Sequence, residues 1–438
     1  MQNVKNNPKN NPVNNPENNS ENNVKNNVEN KVEKIGFFKN YIAPILFVVI
    51  IPLVLFFVLK KSTTVSNKIW PNIFSVVVLV VFLLWGYLSL RLFPQNFEGP
   101  KNVDGYVPNY QGNGFMFWLI TLIATILVCL KWKTLPQKFT ENFIPILMTF
   151  NIFGLLFVAY LYFSGKNDYY GKEEDDAKGY SGLFKFYRGL KFHPRIGGVD
   201  VKQWTNCRFG MIYWQVIIVI LAFFSYYSEG FNVAMWVTVI LQTIYIAKFF
   251  WWETGYFNTL DITLDRAGYY ICWGCLVFVP AFYTFTCYYL ANNPANISNW
   301  IGILILLLGV WFIWMNYKVD LEKEMFKADN NCKIWGKPAE YLEVEYEKDG
   351  EKKKGKLLTS GWWGKSRHMN YTYEIGLSGC WSAVGYPVGI APFAYLAYII
   401  ALLVHRIYRD EDKCSNKYGE YWKKYCEKVK YRLLPNIY

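Results

Sequence analysis

Long, continuously apolar blocks alternate with polar stretches along this chain. Each block approaches the roughly 20 helical residues needed to cross a hydrocarbon core about 30 Å thick. They lie at 41–59, 71–92, 115–131, 143–163, 211–227, 231–250, 268–291 and 299–317. None alternates with period two, so the blocks predict helices and exclude a membrane β-barrel. A further run, 376–404, is too short for two full spans and long for one. Gly385, Pro387, Gly389 and Pro392 interrupt its middle. It predicts a helical hairpin with short or tilted arms that returns the chain to its starting side. Broken backbone at membrane depth survives only where protein or a cavity covers it, so this hairpin is expected to line a pocket.

Other segments follow different periods. Leu342, Val344 and Tyr346 alternate with Glu343, Glu345 and Glu347, and Asp349-Gly350 supplies a tight turn, which predicts a β-hairpin. Tyr418, Trp422, Tyr425 and Val429 form one stripe of an amphipathic helix over 415–429. The pattern as a whole predicts an all-α polytopic membrane protein. It has about ten transmembrane helices, a small cytosolic β-hairpin and a C-terminal amphipathic helix. Residues 1–34 stand apart: Asn pairs recur every four residues among prolines, with almost nothing to bury, so the tract is expected to be disordered. The remainder, 35–438, reads as one membrane domain.

Charge orients it. The 438 residues are 53% hydrophobic with a net charge of +13, and the basic residues gather in particular loops. Loops 164–210 and 318–375 and the tail after 405 are basic, whereas 292–298 (NNPANIS) has no basic residue. The first group is expected in the cytosol and the last in the lumen. Both termini then lie in the cytosol.

Candidate chemistry narrows quickly. Three histidines, His193, His368 and His405, cannot supply the roughly eight imidazoles of a membrane di-iron oxygenase. The nine cysteines show no zinc spacing, and Cys272-Cys275 sits within an apolar run. No Rossmann glycine fingerprint occurs, and Gly361 to Ser366 fails P-loop spacing because Thr359 stands where glycine is needed. Two constellations remain. Lys323 and Lys327 share a helix face, and Arg367-His368, Arg406, Arg409 and Lys417 add charge from elsewhere. Each alone fits a positive-inside anchor. Interleaved Trp362, Trp363, Tyr371, Tyr418 and Tyr425, with Asp410 beside Arg409, point instead to a grip on a phosphate-bearing, planar ligand. The second constellation, WWETGYFNTLDITLDRAGYY (251–270), places Glu253, Tyr256, Asp261 and Asp265 beside apolar spans. Ionisable groups at such depth are costly and mark functional sites, although an interfacial aromatic belt has the same composition.

The stretches WWETGYFNTLDITLDRAGYYICWGCLVFVPAFYT, CKIWGKPAEY, KLLTSGWWGKSRHMNY and RDEDKCSNKYGEYWKKYCEKVKYRLLPNIY occur in that order. They resemble the sterol reductases of the Δ14/Δ7/C24(28) group, most closely its Δ7 branch. The resemblance covers roughly 35–438 and implies NADPH as hydride donor and a sterol double bond, presented from the bilayer, as acceptor. The partners implied are a sterol and membrane lipids, with no nucleic acid, and the location implied is the endoplasmic reticulum membrane. Carried over by position, the NADPH contacts fall in the C-terminal part, 318–438. They are Lys323, Lys327, Leu358, Trp363, Asn370, Tyr371, Arg406, Asp410, Cys414, Ser415, Asn416, Lys417, Tyr418 and Tyr425. Some relatives have Arg at position 327; Lys keeps the charge but loses the bidentate fork.

For a 5,7-diene the implied reaction needs an acid first, because an unactivated alkene does not accept hydride. Protonation leaves an allylic cation that survives only where water is excluded. Tyr256 fits the proton donor, with Glu253, Asp261 or Asp265 as relays. Alternatives are reduction of a Δ14 or C24(28) double bond, a non-catalytic sterol-binding or nuclear-envelope receptor, and a membrane methyltransferase.

Overall fold

Each apolar block folds as a helix, and several begin at a polar cap. Asn72 accepts from the Ser75 amide while the Ser75 hydroxyl accepts from the Asn72 amide, a reciprocal capping box. Asn232 and Ser298 cap the helices that follow them in the same sense. In this computed structural model the described residues are 36–63, 65, 67–101, 106–167, 179–348 and 351–438. The Asn-rich tract expected to be disordered, part of the 164–210 loop and the Asp349-Gly350 turn lie outside them.

Among the described residues, nine helices are long and apolar enough to cross a membrane. They are α1 (Phe38–Lys61), α2 (Ile73–Leu92), α3 (Gly114–Lys131), α4 (Phe143–Lys166), α5 (Val201–Glu229), α6 (Val233–Trp251), α7 (Tyr269–Asn292), α8 (Asn299–Ala328) and the helix within Ala391–Tyr418. A tenth, α9 (Met369–Ala383), is shorter and forms the first arm of the expected hairpin. Two 3₁₀ turns, Tyr386–Val388 and Ala391–Phe393, make the break at the predicted Gly/Pro cluster, and α10 (Ala394–Tyr418) is the return arm. The chain is therefore a polytopic helical membrane protein.

Helix α5 is the hub. Its most apolar stretch is wholly buried inside the protein, whereas α1, α2 and α3 turn most of theirs outward. It also starts ten residues before the apolar block at 211, with Asp200 capping the Gln203 amide at 2.9 Å. That extension carries Lys202 and Arg208 into the protein interior, both fully buried. Pro280 within α7 removes one ladder N–H, and the helix widens to π geometry over Gly274–Tyr283.

Strands β1 (Tyr341–Lys348) and β2 (Glu351–Leu358) pair antiparallel in the expected register, Lys348 opposite Glu351. The tail differs from the single helix expected over 415–429. Residues 415–418 finish α10, Gly419 turns the chain at φ 53°, and α11 (Glu420–Lys428) starts afresh. Glycine takes that left-handed backbone without a Cβ penalty. The new direction packs Trp422, Tyr425 and Val429 against Leu342, Leu357, Cys414 and Tyr418.

Candidate active site and cofactor end

The two constellations, about 145 residues apart in sequence, meet in the fold. Arg406 Nη2 donates to Asp261 Oδ1 at 3.0 Å. One helical turn further along α10, Arg409 forks onto Asp265, 2.8 Å to Oδ1 and 3.3 Å to Oδ2. Both pairs are partly buried, so they are less screened than surface ion pairs. The loop bearing the two aspartates is held from beneath. Lys202 Nζ donates to the carbonyls of Ile262 at 2.7 Å, Asp265 at 2.9 Å and Asp261 at 3.3 Å. A buried ammonium is tolerated because all three of its donors are used.

Glu253 is engaged on the opposite side. Its two oxygens receive both terminal nitrogens of Arg208, with 3.0 Å between Nη2 and Oε2. Arg208 Nη2 also donates to Asn113 Oδ1 at 2.6 Å, and the pair is almost fully buried. Gly114 permits the approach, since a Cβ there would collide with the Glu253 carboxylate. Such a pair serves as a cross-brace between α5 and the 253–265 segment.

Tyr256 lies between these braces. Its hydroxyl is buried without a hydrogen-bond partner. The ring packs on Phe249 at 5.5 Å and Phe257 at 6.1 Å. Burial, reinforced by Asp261, holds the phenol well above its ordinary pKa, so it stays protonated at neutral pH; Arg406 acts in the opposite direction.

Beyond Arg406 the wall becomes aromatic. Tyr245, Tyr283, Glu374 and Tyr398 are half-buried there. Glu374 Oε2 accepts from Asn316 Nδ2 at 3.4 Å, and the Tyr283 and Tyr398 rings lie 5.9 Å apart. The hairpin arms α9 and α10 carry Glu374 and Tyr398. Near the helix ends on the Lys323 side, Asn370 Nδ2 donates to Asp320 Oδ1 at 2.9 Å.

The residues carried over as cofactor contacts gather around the ends of α8, α9 and α10. Lys323 Nζ lies 3.9 Å from the centre of the Trp363 ring, and Lys417 Nζ lies 4.2 Å from that of Tyr346 and 4.7 Å from that of Tyr418. Tyr371 stacks on His368 at 5.2 Å. Lys323, Lys327, Ser415, Asn416 and Lys417 are exposed; Tyr371, Arg406, Asp410, Cys414 and Tyr418 are half-buried. Leu358, Trp363 and Tyr425 are buried in packing, so they back the surface rather than form it.

Arg367 departs from its expected place in the phosphate grip. Its Nε and Nη2 bond Glu411 at 3.0 and 2.7 Å, while Nη1 donates to the carbonyls of Val429 and Lys430. Arg432 holds the same carboxylate at 2.9–3.0 Å, so Arg367 ties the C-terminal segment down. The neighbouring His368 is buried with Nε2 unpartnered, and burial lowers its pKa to about 4.

Sequence reasoning missed Lys202 and Arg208 because they fell in a basic loop next to a membrane block. The available signal was Glu253, a carboxylate beside an apolar span that needed a cationic partner.

Residues 30–438 match the profile of the Ergosterol biosynthesis ERG4/ERG24 family. The chain belongs to this sterol reductase family. It is 38% identical to a 7-dehydrocholesterol reductase of Arabidopsis thaliana over 85% of this chain and 87% of the relative. It is 35% identical to a 7-dehydrocholesterol reductase of Danio rerio, over 78% of this chain and 72% of the relative. A Delta(14)-sterol reductase of Methylotuvimicrobium alcaliphilum is 34% identical over 78% of each chain. In this sterol reductase the family match takes in all of the polar machinery described above, from Asn113 to Arg432.

Proposed function

We propose that this chain reduces the C7–C8 double bond of a 5,7-diene sterol with NADPH, in the endoplasmic reticulum membrane, with both termini in the cytosol. The observation that carries the reading is the meeting of Arg406 with Asp261 beside the unpartnered Tyr256 hydroxyl. A protonated donor, a cation to offset the charge it leaves, and aromatic surroundings that exclude water are what protonation of a diene requires.

The residues present fit the cofactor. Exposed Lys323 and Lys417, each over an aromatic ring, and exposed Lys327 suit phosphates, and the unpartnered His368 Nε2 and half-buried Asp410 offer further polar groups. Segment 318–438 is thus the cofactor-binding part, and NADPH when bound supplies the hydride. Tyr256 gives its proton to one end of the diene, and Arg406 stabilises the phenolate that remains. Asp261, held as a carboxylate by Arg406, orients that guanidinium and relays a proton taken from solvent back to the phenolate. Glu253 and Asp265, each held by an arginine, act as positioning groups.

The Δ7 assignment is favoured by 38% identity over 85% of the chain to a relative named for that reaction. Δ14 reduction is the second reading, favoured by the 34% identity to a Delta(14)-sterol reductase. Membranes containing the protein, incubated with NADPH and a mixture of Δ7, Δ14 and Δ24(28) sterols, separate the two by mass spectrometry. The 5,7-diene should be consumed and its conjugated-diene absorbance should fall with it. Loss of the Δ14 sterol alone would replace the first reading with the second.

A further inference from the structure

On a stripe of α8 distinct from the one carrying Lys323 and Lys327, a pocket of about 350 Å³ opens beside Trp314, Lys318, Glu322 and Trp335. Residues 314, 318, 321, 322 and 325 recur at helical spacing, so one face of the helix forms its wall. Two observations set this pocket apart from ordinary interfacial packing.

The first is Trp335, whose backbone lies at φ 52°. A bulky residue in the left-handed region is a strained outlier, and such strain persists only where surrounding contacts impose it. Here Glu322 Oε1 accepts from Trp335 Nε1 at 2.7 Å and Glu322 Oε2 accepts from the Trp362 amide at 2.9 Å. The two indoles meet edge to face at 5.1 Å. The strain is maintained to present an indole that is still 55% exposed.

The second is charge. Lys318 and Lys333 line the pocket, and Lys365 caps both indoles at 5.0 and 4.8 Å. The one carboxylate in the lining, Glu322, already has both oxygens engaged. Two ammonium groups therefore line the pocket, and a third sits over its two indoles. Below it, Leu304, Leu307, Leu308 and Trp311 of α8 are exposed in a continuous apolar face.

We propose that this pocket binds an anionic glycerophospholipid. Its headgroup phosphate sits against Lys318, Lys333 and Lys365, and its acyl chains lie along the outer face of α8. Charge complementarity selects an anionic lipid over a zwitterionic one. Tryptophans and basic residues at one level are the usual composition of a membrane–water interface, and basic pockets at that level recognise lipid headgroups. The lipid would brace the cytosolic end of α8 from the side away from Lys323.

The test is native mass spectrometry of the full chain in detergent, titrated with phosphatidylserine or phosphatidylcholine. Phosphatidylserine should be retained preferentially. The triple substitution Lys318→Gln, Lys333→Gln and Lys365→Gln should weaken its retention at least about tenfold, given roughly 1 kcal/mol per basic residue at an anionic surface. Lys352→Gln, Lys353→Gln and Lys354→Gln on the β-hairpin remove the same charge elsewhere and should leave retention unchanged. Trp335→Gly removes the indole while relieving the left-handed strain. It should lower retention without lowering the unfolding temperature. Sterol reduction in phosphatidylcholine should stay at the parent level in all three variants, which certifies their folding. Equal retention of both lipids, or equal losses in the two lysine triples, would overturn the proposal. So would binding of the water-soluble glycerophosphoserine headgroup as tight as that of the whole lipid.

Discussion

Arg406 is the residue on which the active-site reading is most exposed to test, because it belongs to both halves of the site. Its bond to Asp261 is 3.0 Å long, with 22% and 20% of the two side chains exposed. At an effective dielectric near 20, charges about 4 Å apart attract by about 4 kcal/mol, and desolvation offsets much of this. A double-mutant cycle of Arg406→Gln and Asp261→Asn should therefore return a coupling energy of about 1–3 kcal/mol in unfolding free energy. Cofactor affinity separates the two roles. If Arg406 only orients Asp261, either single substitution should change the NADPH Kd equally. If Arg406 also holds the cofactor, losing a charge-assisted hydrogen bond should cost it about 1.5–3 kcal/mol more, or roughly 10- to 150-fold in Kd. Isothermal titration of the detergent-purified protein with NADPH measures this directly. Lys131 and Lys133, basic residues at the end of α3, are the control and should leave Kd alone when changed to Ala. An unchanged Kd in Arg406→Gln, or an equal loss in the α3 control, would refute the cofactor role.

Four further outcomes follow from the same geometry. Tyr256→Phe should lower turnover by about 10²- to 10⁴-fold with NADPH binding intact, the range for loss of a general acid; near-normal turnover would remove Tyr256 as proton donor. Arg208→Met should destabilise the fold by about 3–5 kcal/mol, because it leaves the Glu253 carboxylate buried without its partner; denaturant unfolding of the purified protein reads the loss. His368, neutral in the fold with its pKa lowered to about 4, must bind a proton sooner when unfolded. Stability is thus fully present above pH 6.5 and falls as pH drops toward 4, by about 1.4 kcal/mol between pH 7.5 and 5.5, and His368→Gln should flatten that slope by one proton. A protease-accessible tag after Tyr438 and one in the 164–210 loop should both be cytosolic, and a lumenal tag at either place would overturn the proposed topology.

Much of this architecture was legible in the sequence because membrane burial imposes a simple code. A helix facing lipid must be apolar along its length, so α1 to α4, α6 and α7 appear in the sequence within a few residues of their observed ends, whereas α8 runs on past its apolar block to Ala328. The hairpin was legible for a second reason: Gly385, Pro387, Gly389 and Pro392 cannot continue a helix, and the turns form there. The β-hairpin was legible from the alternation over 342–347 followed by Asp349-Gly350. The code fails where a helix is buried in protein rather than lipid. Helix α5 could begin at Val201 only because Lys202 found three carbonyls and Arg208 found Glu253 and Asn113. A periodicity argument assigns such residues to a loop, since their partners lie 45 to 95 residues away. Arg367 was misplaced for the same reason: its partners, Glu411 and the 429–430 carbonyls, are fixed by the fold alone.

The cross-pairing of acids and bases has a consequence for how the site stays coupled. Helix α10 carries Tyr398 among the rings of Phe278, Phe282 and Tyr283, Arg406 and Arg409 at the aspartate loop, and Asp410, Cys414 and Lys417 toward the exposed end. From 398 to 417 is about 28 Å of helix at 1.5 Å per residue. One helix therefore reaches from the aromatic cluster around Tyr398 to exposed Lys417. Its position is set by two ion pairs to the 253–265 segment and by the Arg367–Glu411–Arg432 bridge to the tail. The 253–265 segment is in turn fixed to α5 through Lys202 and the Arg208–Glu253 pair. Tyr256 and the cofactor end are thus referenced to the same helix by short chains of charge-assisted bonds. A movement of α10 along its axis would have to break the Asp261 and Asp265 pairs together. That explains why the buried cations sit in α5: they hold the aspartate loop still, so that the arginines of α10 have a fixed partner to find.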